Sequence, residues 1–180
     1  MKIWKWLFFS LLLLNILIII GLIFLLSRSY ETPEKEDNYS GDESGIEVKM
    51  TNDAVQDLIM DAVGKESIAI DISESGIDLV SSNTIYGLNI DTSFNLEPVS
   101  TGDTIVFEVT KIDIANIPLS QNALYTIIRS QSDLPEGISF SENERALVID
   151  TALFVEVVGF DVKVDSIDYE NNEWYFSMKR

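Results

Sequence analysis

Residues Leu7 to Leu26 read LFFSLLLLNILIIIGLIFLL, with no charge and only Ser10 and Asn15 polar. A helix rises about 1.5 Å per residue, so this run matches a hydrocarbon core roughly 30 Å thick. Nothing else in the chain resembles it. The remainder of the chain, beyond Leu26, is acidic and strand-patterned. The sequence therefore divides into a cytoplasmic N-terminus over 1–6, a transmembrane anchor over 7–26, an acidic flexible linker over 27–45 and one extracytoplasmic domain over 46–180.

Lys2 and Lys5 precede the apolar run, and Arg28 alone follows it closely. Positive charge beside a span favours the cytoplasmic side, so the expected product is a single-pass protein of the cell membrane with its domain outside. Trp4 and Trp6 suit the headgroup region. A cleaved signal peptide is the rival reading. It calls for an apolar region of about 7–15 residues and a small-residue cleavage site. Leu25-Leu26-Ser27-Arg28-Ser29 is a poor match to such a site, so a retained anchor is expected. With no cysteine in the chain, a lipid-modified cysteine cannot serve instead.

Charge and composition exclude several functions. All 30 acidic residues follow the anchor and face nine basic ones, a net of −21 over residues 29–180. Nucleic acid is not an expected partner, because phosphate binding needs basic patches. Charge-driven docking on anionic headgroups is disfavoured for the same reason. Zero Cys and zero His remove thiol nucleophiles, disulfides, imidazole bases and His or Cys metal sites. No cofactor is expected.

The segment 27–45 is polar and has no apolar period, so it reads as coil spanning roughly 25 Å. Within it Glu36, Asn38, Ser40, Gly41 and Glu47 fall at calcium-loop spacing. The first ligand position lacks Asp and neither flank looks helical, so a solvated acidic linker is the preferred reading.

Thr51 to Gly64 reads as a capped helix with Val55, Leu58, Ile59 and Ala62 on one face. Strand patterns succeed it at Ile68 to Ile72, at Gly76 to Val80, and at Leu88 to Leu96 with strict alternation up to Pro98. Thr101-Gly102-Asp103 reads as a turn. Ile105, Phe107 and Val109 share a face, and the phase slips near Lys111 to Ile112 and Ile114, as at a bulge. Leu119 to Ser132 reads as a second helix burying Leu124, Tyr125, Ile127 and Ile128. Three further strands are expected at Ala146 to Asp150 or beyond, Phe160 to Tyr169, and Glu173 to Met178. The expected class is α+β, with a curled, largely antiparallel sheet and two main helices behind the transmembrane helix.

Several stretches resemble one family. Ile85-Tyr86-Gly87 followed by Phe94-Asn95-Leu96-Glu97-Pro98 resembles the glycine-to-proline segment of YpmS-like proteins. Ile117-Pro118-Leu119-Ser120, Tyr125-x-Ile127 and Leu134-Pro135-x-x-Ile138 resemble their central helix region. Gly159-Phe160-x-Val162-Lys163 with Ile167 is similar to their last hairpin. Ala115-Asn116 departs from the pattern, where a glycine is expected. The resemblance implies a membrane-anchored protein of a Gram-positive bacterium and names no activity. The order of elements also resembles small tubular lipid-binding domains of cell envelopes, in which a curled sheet wraps helices around an apolar groove. That likeness concerns fold and implies function only by analogy.

Three functions are compatible with these readings. In the first, alternating strands line a groove for lipid or another apolar envelope ligand. Its candidate residues are Leu88, Ile90, Phe94, Leu96, Ile105, Phe107, Val109, Val155 and Val162, with Ile149, Leu153 and Val164 beside them. Period two alone does not separate a groove from a packed core. In the second, the domain is a non-catalytic accessory subunit of an envelope enzyme or wall-assembly complex. Surface aromatics such as Tyr125, Tyr169 and Trp174 would then mark its protein partner, although ordinary packing explains them as well. In the third, carboxylate pairs such as Asp71/Glu74 or Asp113/Glu108 catalyse. With 30 acids such pairs arise by chance, and no activity is expected.

Metal independence is directly testable. A chelator should leave the thermal midpoint of residues 27–180, which carry Glu36 to Glu47, unchanged. A fall of many degrees would revive the calcium reading.

Overall fold

The structure, a computed structural model, describes residues 2–33, 45–64, 68–85, 88–114, 117–131 and 134–179. Helix α1 runs unbroken over Lys2–Leu26. Its stretch Trp4–Phe24 has a mean hydropathy of 2.9 and is long and apolar enough to cross a membrane. The Asn15 amide donates to the Leu11 carbonyl at 2.9 Å, so this polar group is served within the helix.

Strand β1 (Ile46–Met50) leads into α2 (Asn52–Val63). The Ala54 amide donates to Thr51 Oγ1 at 3.4 Å. Gly64, at φ 58°, closes the helix with its amide on the Met60 carbonyl. Strands β2 (Ile68–Ser73), β3 (Gly76–Ile85), β4 (Leu88–Ser100) and β5 (Thr104–Ile114) then form an antiparallel meander. Helix α3 (Gln121–Gln131) comes next, then β6 (Ile138–Phe140), β7 (Ala146–Asp150), α4 (Ala152–Val158), β8 (Asp161–Asp168) and β9 (Glu173–Lys179). The class is α+β, as the pattern implies.

The strands make two antiparallel sheets rather than one. Six strands lie in the order β2-β3-β4-β5-β7-β6, and three in the order β1-β9-β8. The sheets meet where the Val164 amide of β8 donates to the Gly102 carbonyl at 2.9 Å. β1 and β6 have no counterpart in the sequence reading: β6 has only three residues, too few to show a period, and β1, IEVKM, alternates but directly follows the acidic segment read as linker.

Helix α4 corrects another expectation. Alternation puts Leu153 and Val155 on a strand face, yet they lie in this helix. Its sequence ALFVEVV is rich in β-branched residues, which favour strands. Local contacts override that preference. Asp150 Oδ1 accepts from the Ala152 amide at 2.9 Å, Gly159 at φ 75° ends the helix, and Phe154 is buried. In α3, Leu124, Tyr125 and Ile128 are buried as expected, whereas Ile127 is exposed.

The expected linker begins on the domain. Tyr30 and Pro33 are buried. The Glu31 amide donates to the Asn143 carbonyl and the Arg145 amide to the Glu31 carbonyl, both at 3.0 Å. Of the calcium-loop spacing, Glu36, Asn38, Ser40 and Gly41 lie outside the described residues, as do Tyr86, Gly87, Ala115 and Asn116 of the family motifs.

One buried polar group ties the two ends of the domain together. Trp174 of β9 is fully buried, and its indole N–H donates to Asn52 Oδ1 at 2.8 Å. The Asn52 amide group donates to the Tyr169 carbonyl at 2.9 Å, while its backbone N–H meets Asn172 Oδ1 at 2.6 Å. Asn52→Ala leaves the buried indole N–H unpaired. It should cost about 2–3 kcal/mol in urea unfolding, from the unmet donor and the lost amide bond. A loss below about 0.5 kcal/mol would refute the role given to Asn52.

Candidate functional site

In an antiparallel ladder, directly opposed residues share a face. Ile70, Leu79, Phe94 and Ile112 therefore form one row across β2 to β5, and Ile72, Ile77, Leu96 and Val109 another. Ile105, Ile149 and Ile138 continue the face over β5, β7 and β6, as do Phe107, Leu147 and Phe140. Helices α2 and α3 cover it. From α2 come Val55, Leu58, Ile59 and Val63, and from α3 Leu124, Tyr125 and Ile128.

The cover leaves a cleft. Its volume is about 50 Å³. Ile59, Met60 and Val63 of α2 form one wall with Ile128 and Leu134, and the sheet residues from Ile68 to Ile149 form the other. Among the 15 lining residues only Ser81 is polar. A site of that volume has room for a few waters at roughly 10–15 Å³ each, but a water needs two to four polar partners. These walls do not supply them. The cleft suits hydrocarbon.

The structure separates the residues that alternation grouped together. Phe94 and Leu96 line the cleft. Ile90 is half-buried against the core. Ile105, Phe107 and Val109 share the sheet face but are completely buried and do not line the cleft. Leu88 opens β4 opposite Ile85, and its side chain lies outside what the structure describes. Val155 and Val162 stand elsewhere, in a second hollow of about 320 Å³ with Asp103, Asp150, Lys163 and Ser177. Unlike the cleft, that hollow has polar or charged residues at most of its lining positions. Lys163 Nζ pairs with Asp103 at 2.9 Å across its rim.

Met60, Leu134 and Ile138 are cleft residues outside the candidate groove set, although Leu134 and Ile138 stand in a family motif. Met60 extends the face of α2 already read from Val55 and Ile59. Leu134 and Ile138 come after α3 without a period of their own. Asp165 was also unanticipated. It is buried beside Ser177, whose hydroxyl donates to Asp165 Oδ2 at 2.6 Å, and its Oδ1 has no partner among the described residues. The signal was a second phase slip, from Val162 and Val164 to Ile167, which the register shift between Val164 and Ser166 explains.

The titrating groups lie away from the cleft. Burial pushes the Tyr125 hydroxyl up to about 12, so it stays a donor at ordinary pH. It lies 2.8 Å from the Ala146 carbonyl and 2.9 Å from that of Ser141, pinning the β6–β7 turn to α3. On the exposed face of β1 and β9, a hydrogen bond to Glu173 holds Lys49 above its usual range, and Glu173 sits below its own. Among the described residues, no three Asp or Glu side chains gather as a metal site.

Two substitutions distinguish cleft from core. Phe107→Ala removes a completely buried ring and should cost about 3–5 kcal/mol in urea unfolding. Phe94→Ala opens into existing space and should cost at least about 1 kcal/mol less. Equal losses would mean that Phe94 is packed as solidly as Phe107.

The profile of an uncharacterised protein family conserved in bacteria, DUF2140, matches residues 2–180. No curated protein and no solved structure matches the chain. With the profile covering the apolar helix and the whole domain, the chain belongs to the DUF2140 family, the same family as the YpmS-like proteins.

Proposed function

We propose that this protein is a membrane-anchored, non-catalytic binder of an acyl chain on the outer face of a Gram-positive cell membrane. The observation that carries the reading is the cleft between the six-stranded sheet and helices α2 and α3, with walls that are apolar apart from Ser81. Burial of hydrocarbon there is favourable by about 0.8 kcal/mol per CH₂. At about 50 Å³ the cleft is a slot for part of one chain. A longer chain enters by pushing aside Met60 and Leu134, which are only partly buried. An unbranched thioether side chain adapts to such a change at small cost. Helix α1 supports the anchor, and Lys2 and Lys5 before it support the outward orientation. Likeness to the YpmS-like proteins supports the Gram-positive envelope.

The accessory-subunit reading loses two of its proposed surface aromatics. Tyr125 and Trp174 are completely buried, and both take part in hydrogen bonds that hold the fold.

The test is uptake. Purified domain should enhance the fluorescence of cis-parinaric acid and release lipid on organic extraction. Leu79→Trp, which fills the slot from β3, should abolish both while leaving the unfolding transition in place. Uptake of neither natural lipid nor the fluorescent acid would refute the reading, and so would undiminished uptake by a folded Leu79→Trp variant.

A further inference from the structure

Ile117 and Leu119, just before α3, and Ile127 on it are exposed at 46, 40 and 37 %. Seven residues along a helix return to nearly the same angle, which places Ile127 over the capping residue Ser120, next to Leu119. The edge of α3 therefore presents apolar side chains that stay partly open to solvent.

The anchor determines what this strip meets. Helix α1 packs against α3. Tyr30 stands four residues beyond Leu26, and four residues reach at most about 14 Å. Its ring meets Tyr125 edge-on with centroids 4.6 Å apart, and its hydroxyl lies 3.1 Å from Thr126 Oγ1. Tyr125 and Thr126 both belong to α3. The end of the apolar helix is thus clasped to the helix that carries the strip.

We propose that the α3 edge docks on the surface of the bilayer that α1 spans, with Ile117, Leu119 and Ile127 entering the boundary between headgroups and acyl chains. The inference rests on α1 spanning a membrane. The occupant is a lipid surface because the clasp leaves α3 within one short segment of it. Attachment is apolar, since a net −21 opposes adhesion by charge. Ile128, the next residue on the helix, lines the cleft. Docking would therefore set one lip of the cleft at the source of its ligand.

The chain has no cysteine, so single reporter sites are easy to place. Full-length Leu119→Cys, Ile127→Cys and Phe160→Cys carry an environment-sensitive NBD label in phosphatidylcholine vesicles with or without nitroxide-bearing lipid. Phe160 is a matched control, 38 % exposed and apolar. It lies three residues before Lys163, which pairs with Asp103 at the start of β5, whereas α3 is bonded at Ile112. Nine residues of strand separate those points by roughly 30 Å. The labels at Leu119 and Ile127 should be quenched severalfold more than the label at Phe160. Tyr30→Ala should reduce that quenching while the protein still floats with the vesicles. Equal quenching at all three sites in floating protein would overturn the docking alone. Blue-shifted but unquenched labels would also overturn it, in favour of a second copy or another protein. Failure to float would overturn the anchor and the docking together.

Discussion

The fold depends on one extra residue in β5. Asn95 pairs with Lys111 and Leu96 with Val109, so Thr110 bulges from the ladder. Val109 and Ile112 consequently face the same side, and Ile114 with them. Without the bulge, strict alternation would turn Ile112 and Ile114 outward. The extra residue is not left unsatisfied, because Thr110 Oγ1 donates to the Asn95 carbonyl at 3.1 Å. Past this point β7 no longer flanks β5. Gln121 takes over, accepting from the Ile112 amide at 2.6 Å and donating to its carbonyl at 3.2 Å. The side chain that opens α3 therefore acts as a short substitute strand. It sets where α3 lies, and α3 in turn sets the cleft through Ile128 and the clasp through Tyr125.

Much of this was legible in the sequence. The slip from Val109 to Ile112 marked the bulge to within a residue or so, because a half-buried sheet records its phase in the apolar residues. Thr51 and Gly64 marked the ends of α2 because capping needs particular side chains and a left-handed backbone. Helix α4 was not legible, since ALFVEVV carries a strand-like composition and its helix is held by Asp150, Gly159 and the burial of Phe154. Nor was the division into two sheets, which depends on β9 pairing with β1 from the opposite end of the domain.

The candidate site was legible only by face. Alternation placed Phe94, Leu96, Ile105, Phe107 and Val109 on one side of the sheet, and the register agrees. Whether a helix closes over each residue is a separate question, decided by where α2 and α3 end. Phe107 and Val109 are sealed, while Phe94 and Leu96 border the cleft. Val155 left the group because its segment turned helical, and Val162 because β8 belongs to the other sheet.

The acidic segment after the anchor takes on a different role once Tyr30 and Pro33 are seen to be buried. A chain of 19 residues from 27 to 45 suggested a flexible spacer between membrane and domain. Its head is already part of the domain, and its tail enters β1 at Ile46. Residues 34–44 therefore join two points of one folded body, and the free length between α1 and the clasp is only Ser27 to Ser29. The clasp of Tyr30 on Tyr125 and Thr126 thus converts what composition presents as a tether into a short joint between α1 and the domain.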